Sequence, residues 1–323
     1  MRNASEELLG RAPAFRDIVR AATLVAPTDA TVLITGESGT GKELLARYIH
    51  ATSRRARAPL VTINCAALPE NLAESELFGH DRGAFSGAVQ QQMGRVQLAD
   101  KGTLFLDEIA EISPAIQAKL LRLLESGECQ TVGQPRITQV DVRIISATNN
   151  NLRDKVACHA FRRDLFFRLN VVPLALPALR QRKEDIEEFL DRFTARFATN
   201  HRVAPPHYPP CVRQQLKNHS WPGNIRELRN FCERMVILHA GKRIELEHLP
   251  MEMQPPDPAL WQTRQDGKSF ILPEEGIDFD QLERHLIDQA IKQANGNRSW
   301  AARMLGLSYA TFLYRLKKFS IPS

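Results

Sequence analysis

Seven consecutive residues, Gly36-Glu37-Ser38-Gly39-Thr40-Gly41-Lys42, have the types and spacing to hold a nucleoside triphosphate. The glycines let the backbone curl until successive N–H groups point inward at phosphate oxygens, and Lys42 supplies a cation for the outer phosphates. The next position is usually Ser or Thr, whose hydroxyl touches magnesium. Glu43 stands there instead, so a metal must be held largely from elsewhere. A second pair of groups, Asp107 and Glu108, ends the apolar run Thr103-Leu104-Phe105-Leu106. Two acids at a strand end can be solvent-facing caps. Combined with the glycine loop they form an ATPase pair, in which Asp107 holds Mg2+, usually through water, and Glu108 orients or deprotonates the attacking water.

These groups need elements to place them. Thr31-Val32-Leu33-Ile34-Thr35 reads as a buried strand before the loop, and Leu44, Leu45, Tyr48 and Ile49 fall at helical spacing after it. The helix N-terminus then adds unpaired N–H groups and a positive dipole end. A strand over 60–63 delivers Asn64, and one over 140–147 delivers Thr148 and Asn149. Polar residues at the ends of parallel strands face the ligand crevice, although Asn64 could equally cap the next turn. Ser113-Pro114 starts a helix with Ile116, Leu120, Leu123 and Leu124 on one face and Gly127 as its stop. Residues 129–139 read as a hairpin-like insertion turning at Gly133-Gln134-Pro135. In Gly83-Ala84-Phe85-Ser86-Gly87-Ala88 an aromatic stands between glycines, either exposed at a loop tip for a partner or folded back into the core. The stretch 161–169 mixes arginines with aromatics, and its arginines are either surface charges or reach a neighbouring subunit's phosphate.

From 177 to 250 the pattern is helical. Ile186, Phe189, Leu190 and Phe193 mark one helix, and a second follows Ser220-Trp221-Pro222-Gly223-Asn224. In it Ile225, Leu228, Phe231, Cys232, Val236 and Leu238 form a buried stripe that leaves Arg226 near the start. Residues 251–276, rich in Pro and Gly, read as a linker. Beyond it, Phe279, Leu282, Leu286, Ile287, Ala290 and Ile291 share one helix face. Ser299 caps a short helix, Gly306-Leu307-Ser308 turns, and a last helix runs from Tyr309 to Phe319, a helix-turn-helix. Five basic residues and no acid lie over 298–323, favouring DNA over a small dimerising bundle. A net charge of +6 is compatible with that partner without requiring it. No apolar run approaches the roughly 18 residues of a membrane span, so no membrane insertion is expected. No signal peptide is apparent, and five scattered cysteines without C-x-x-C spacing favour a reducing cytoplasm.

Taken together, the motifs resemble those of sigma-54-dependent transcription activators, the bacterial enhancer-binding branch of the AAA+ ATPases. The resemblance runs over 9–319 and is sharpest at Gly83-Ala84-Phe85-Ser86-Gly87-Ala88, similar to the family's GAFTGA loop with Ser86 for threonine. Gly-Glu-Ser-Gly-Thr-Gly-Lys-Glu at 36–43, Glu-Leu-Phe-Gly-His at 76–80 and Trp-Pro-Gly-Asn-Ile-Arg-Glu-Leu at 221–228 also match. It implies an α/β AAA+ P-loop ATPase with a parallel sheet and helical lid, followed by a small all-α, Fis-like helix-turn-helix domain. The expected division is 1–176, lid 177–250, linker 251–276 and DNA-binding domain 277–323.

By the same resemblance ATP and Mg2+ would sit against Gly36, Glu37, Ser38, Gly39, Thr40, Gly41, Lys42, Glu43 and Asp107. Thr148 and Asn149 would sense the γ-phosphate, Ile225 would lie against the base, and Arg226 would be the lid arginine. Asn64 would hold Glu108 back until nucleotide and client are present. Arg162 and Arg168 would complete the neighbouring subunit's site in a ring, expected to be a hexamer. Phe85 and its loop, supported by the 129–139 insertion, would touch sigma-54 RNA polymerase holoenzyme. Ser299, Tyr309, Thr311, Tyr314, Arg315, Lys317 and Lys318 would face double-stranded enhancer DNA. The implied function is ATP-driven conversion of closed to open promoter complexes, with a nucleotide-sensing DNA-binding repressor or scaffold as the alternative. A start so close to the ATPase, without a receiver domain, resembles single-component activators of the phage-shock kind, restrained by a separate inhibitor protein.

Overall fold

The computed structural model describes residues 8–84, 90–133, 137–254, 276–294 and 297–319. Phe85, Ser86, Gly87 and Ala88 of the glycine-flanked loop, Gln134 and Pro135 of the insertion turn, and nearly all of the expected linker lie outside them. The chain divides into two compact units, Met1–Pro255 and Pro256–Ser323.

Seven strands are present among the described residues: β1 (Val32–Thr35), β2 (Leu60–Asn64), β3 (Thr103–Asp107), β4 (Glu128–Gln130), β5 (Ile137–Gln139), β6 (Arg143–Thr148) and β7 (Val172–Ala175). Five form one parallel sheet in the order β2-β3-β6-β1-β7, while β4 and β5 make a separate antiparallel ribbon. Apolar side chains alternate between the sheet's two faces. Val32, Ile34, Phe105 and Ile145 meet α1 (Pro13–Val25) and α2 (Lys42–Ala51). Leu33, Leu104, Leu106 and Ile144 meet α3 (Glu70–Phe78), α4 (Arg95–Leu98), α5 (Pro114–Ser126), α6 (Leu152–Ala157) and α7 (Arg163–Leu169). Covering both faces is what an all-parallel sheet requires. It explains why the strands read as continuous apolar runs.

Two differences from the sequence reading have local causes. β6 starts at Arg143 and not at 140, because the Val140 N–H donates to the Gly127 carbonyl and the Asp141 carbonyl accepts from Lys101 N–H. Buried Arg143 donates instead to the carbonyls of Ala26 (2.7 Å) and Val25 (3.1 Å) at the C-terminal end of α1, where a cation is favoured. β7 carries Pro173 opposite Leu33, which obscures it in the sequence; proline is tolerated because β7 is an edge strand.

The helical part of the first unit comprises α8 (Glu184–His201), α9 (Pro210–Asn218) and α10 (Asn224–Leu238). They pack around fully buried Trp221, whose indole N–H donates to the Leu216 carbonyl at 2.8 Å and whose ring meets Phe231 edge-on. Leu238 does not join the expected stripe; it is 60% exposed in the last turn of α10.

In the second unit α11 (Phe279–Gln293), α12 (Arg298–Met304) and α13 (Tyr309–Lys318) surround Ile287, Ala290, Ala301, Ala302, Phe312 and Leu316. Phe279 and Leu286 are exposed, off the packed face of α11. The cap of α12 is Asn297, whose side chain accepts from Trp300 N–H, and Ser299 lies inside the helix. Gly306 turns the chain at φ +64°, and Ser308 caps α13 by accepting from Thr311 N–H.

Candidate functional site

The candidate residues converge at the C-terminal edge of the sheet, where β1 runs into the glycine loop and β3 and β6 end beside it. Gly41 closes the loop at φ +104° and caps α2. At Gly39 a Cβ would stand 2.3 Å from the Gly223 carbonyl oxygen, so only glycine lets the lid come this close. The buried Lys42 ammonium donates to the carbonyls of Gly36 (2.9 Å) and Glu37 (3.4 Å) and lies 3.7 Å from Glu108 Oε1.

Asp107 Oδ1 accepts from the Glu108 N–H at 3.1 Å. Burial, then the adjacent Glu108 charge, raise the Asp107 pKa above the ordinary carboxylate value, with Lys42 opposing. Glu108 adopts the left-handed conformation at φ +52°, a strain of the kind found at working sites. Its Oε2 accepts from Asn149 N–H at 3.2 Å. The expected Asn64–Glu108 contact is not made in this arrangement. Asn64 sits beside Asp107 in register, but its side chain accepts from Ala66 N–H at 3.0 Å and caps the following turn. Thr148 is buried and accepts from Asn150 N–H, leaving Asn149 as the strand-end residue bonded to Glu108.

The lid is bonded directly to this loop. Ile225 N–H donates to the Gly39 carbonyl at 3.0 Å, and Arg226 Nη1 donates to Ser38 Oγ at 2.8 Å. Buried Asn224, at φ +51°, accepts from Leu179 N–H (2.7 Å) and donates to Glu37 Oε2 (3.1 Å) and the Ser38 carbonyl (3.0 Å). Arg180 forms a two-pronged pair with Glu37, at 2.8 and 2.5 Å. The Arg180 hydrogen bond first, and the Asn224 bond second, lower the Glu37 pKa to about 2. Arg182 is fully buried, lies over the Phe15 ring and donates to the Thr40 carbonyl; burial lowers its pKa to about 10. Between loop and lid opens a cavity of about 750 Å³, bordered by Ser38, Gly39, Lys42, Asp107, Ile225 and Arg226. Its size and mixed lining suit a nucleotide. Glu43 also borders it, paired with Arg47 at 2.6 Å.

Sequence reasoning missed Arg180, Arg182 and Asn224 as loop partners. Asn224 lay inside a quoted motif, whereas nothing in Leu179-Arg180-Gln181-Arg182 separates these arginines from surface charges. Arg162 and Arg168 do not border the cavity; they pair with Asp164 (2.6 Å) and Glu125 (3.3 Å), both half-exposed. Of the candidate client loop, Gly83 and Ala84 are described. The loop base is tied down by His80, bridged to Gln92 and to Val132, and Asp81 N–H donates to the Val132 carbonyl. Val132 follows β4, so the insertion does abut the loop base.

On α13, Tyr309, Tyr314 and Lys317 are exposed. Arg315 and Thr311 are partly exposed: Arg315 is ion-paired with Glu283 of α11, and the Thr311 hydroxyl bonds to Ser308. Lys318 is exposed and reaches Asp280 at 2.8 Å.

Comparison with known proteins matches three successive family models: the sigma-54 interaction domain over 8–175, the AAA+ ATPase lid domain over 180–265, and the bacterial regulatory protein, Fis family, over 279–319. The chain belongs to the sigma-54-dependent transcriptional regulators. Among relatives in this family, it is 46% identical to the transcriptional regulatory protein ZraR of Escherichia coli K12 over 311 residues, 96% of this chain and 68% of that protein. It is 43% identical to the regulatory protein AtoC of the same strain, over 97% of this chain and 68% of AtoC. Crystal structures of NtrX from Brucella abortus, solved with ADP and with ATP, superpose at a TM-score of 0.71 with 35% identity, covering 98% of this chain and 69% of NtrX. This sigma-54-dependent regulator therefore carries an AAA+ ATP-binding domain and a helix-turn-helix. No helix among its described residues is long and apolar enough to cross a membrane.

Proposed function

We propose that the protein hydrolyses ATP in the loop–lid cavity and uses the resulting movement to convert sigma-54 RNA polymerase from closed to open promoter complexes, working as a ring, with a hexamer as the expected form, in the cytoplasm. The observation that carries this reading is the convergence of Lys42, Asp107, Glu108 and Arg226 on one cavity. The donor set fits Mg2+ with ATP. The charge of Asp107 is disfavoured by burial and by Glu108, and a cation would offset both. Bound there, ATP supplies a phosphoanhydride bond whose hydrolysis to ADP and phosphate releases free energy.

The residues divide the work. Gly36, Glu37, Ser38, Gly39, Thr40, Gly41 and Lys42 cradle the phosphates and neutralise their charge, and Asp107 holds the metal. Glu108 accepts a proton from the attacking water. Asn149, already bonded to Glu108, reports the phosphate state together with Thr148, and Asn64 takes over Glu108 in the alternate arrangement. Ile225 and Arg226 carry that state into the lid. Arg162 and Arg168 reach the neighbour's cavity, and the 83–88 loop meets the sigma factor with support from the 129–139 insertion. The chain divides functionally as 1–176, 177–250, 251–276 and 277–323. The last part docks on upstream DNA through Tyr309, Tyr314 and Lys317.

The test combines purified protein, ATP and sigma-54 holoenzyme on a closed promoter complex, scoring heparin-resistant open complexes and phosphate release together. Both should appear, and both should be lost in Glu108→Gln while nucleotide binding is kept. Phosphate release without opening would reject the remodelling reading, and DNA binding without phosphate release would favour a nucleotide-sensing repressor.

A further inference from the structure

Gln117 is the one polar residue among the buried positions of α5, and it is 1% exposed. Its neighbours on the buried face are Ile116, Leu120 and Leu123, so packing alone would be served by another aliphatic residue. The amide instead uses its whole polar end on backbone. Nε2 donates to the carbonyls of Ile112 (3.0 Å) and Ala160 (3.1 Å), and Oε1 accepts from the N–H of Arg162 (2.8 Å). Those partners belong to two different segments. Ile112 ends the short turn Ile109–Glu111 that starts at Glu108, while Ala160 and Arg162 lead into α7, of which Arg162 is the N-cap residue. A second strut runs alongside, for Glu111 Oε1 accepts from Asn150 Nδ2 (2.9 Å) and Lys155 Nζ (3.3 Å). The end of β3, the end of β6 and the segment bearing Arg162 are thus bonded into one frame.

We infer that Gln117 is a positioning residue for the arginine presented to the neighbouring subunit, and that it couples the backbone at Arg162 to the turn after Glu108 in the same chain. The inference rests on the proposed role of Arg162 in a neighbour's site. An apolar side chain of equal length would leave the buried Ile112 carbonyl, the part-buried Ala160 carbonyl and the Arg162 N–H without their shared partner, releasing the Arg162 backbone. The defect then lies in what a subunit offers its neighbour and not in its own cavity.

Gln117→Met tests this in the full chain. Its affinity for a fluorescent ATP analogue should stay within twofold of wild type, while kcat falls at least tenfold. Gln117→Met subunits are then mixed with Lys42→Ala subunits, whose own cavity is disabled but whose Arg162 is intact, after sizing shows that the two co-assemble. A Gln117→Met cavity beside an intact Arg162 should turn over, so the mixture should exceed the sum of its parents at least fivefold. A parallel mixture of Arg162→Ala with Lys42→Ala tests the underlying reading. Recovery in the Arg162→Ala mixture without recovery in the Gln117→Met mixture overturns the Gln117 inference alone. Recovery in neither rejects the shared-site reading, and the inference falls with it. If Gln117→Met melts below the assay temperature, Gln117→Glu replaces it. Protonated, that side chain can donate one of the two bonds and still accept from Arg162, so a smaller kcat loss with the same recovery is expected, and no recovery overturns the inference.

Discussion

Asp107 is a carboxylate kept where its charge is disfavoured. Burial and the neighbouring Glu108 raise its pKa, so the fold binds its proton more tightly than the unfolded chain does. Asp107→Asn should therefore melt higher than the ligand-free wild type, by on the order of 1–4 °C, while losing ATP turnover. The gain is full at neutral pH, fades as pH falls through the raised folded value toward the ordinary Asp value of 3.8, and is gone below it, where the carboxyl is neutral in both states. Calorimetry from pH 7 to pH 3 checks it; an unchanged or lowered melting temperature at pH 7 contradicts the burial account. Lys42, Asp107 and Glu108 were legible in the sequence because their chemistry comes with fixed spacing after a strand. The partner of Glu108 was not, since whether a strand-end carboxylate meets Asn64 or Asn149 depends on which backbone amide Asn64 captures first.

At the scale of elements, the lid is held by the side chain of Asn224 as much as by packing. Asn224→Ala leaves the Leu179 N–H and the Ser38 carbonyl short of a partner and places alanine at positive φ, which together cost about 2–4 kcal/mol. A denaturant midpoint shift within error of zero would contradict this, and KM for ATP should rise along with it. Glu37 belongs to the same contact. Its folded pKa is lowered to about 2, so its contribution is full above its ordinary value of 4.5 and is lost as pH falls toward 2. The melting difference between wild type and Glu37→Gln should narrow over that window, as scanning fluorimetry would report. In the second unit, Lys317→Ala should weaken DNA binding and flatten its salt dependence without changing stability. Arg315→Ala should act mainly on stability, because its partner Glu283 is on α11; fluorescence anisotropy and thermal melts on both variants separate the roles. The helix-turn-helix was readable from its glycine turn and apolar spacing, but which basic residues are committed to ion pairs depends on contacts with α11 that no local pattern encodes.

For the whole molecule, the division into two compact units predicts that they can be separated. A chain ending at residue 254 should keep ATP turnover within about threefold at concentrations that support assembly, and should lose retention on promoter DNA; loss of turnover at every concentration would show that the units depend on each other. The sheet order was only partly visible beforehand. Four of its strands announced themselves as apolar runs ending in polar residues, while β7, marked by Pro173, is recognisable as a strand only once β1 is seen to need a second neighbour.

The sheet order also bears on how the protein is made. β1 leads directly into the phosphate loop, yet it is flanked by β6 and β7, which emerge from the ribosome roughly a hundred residues later, on the order of 5–20 s of translation. Throughout that interval the apolar run Val32-Leu33-Ile34 has neither of its sheet neighbours. The nucleotide cavity thus cannot mature during synthesis of the N-terminal half, and a ribosome stalled before Arg143 should display a nascent chain that chaperones hold and ATP does not protect.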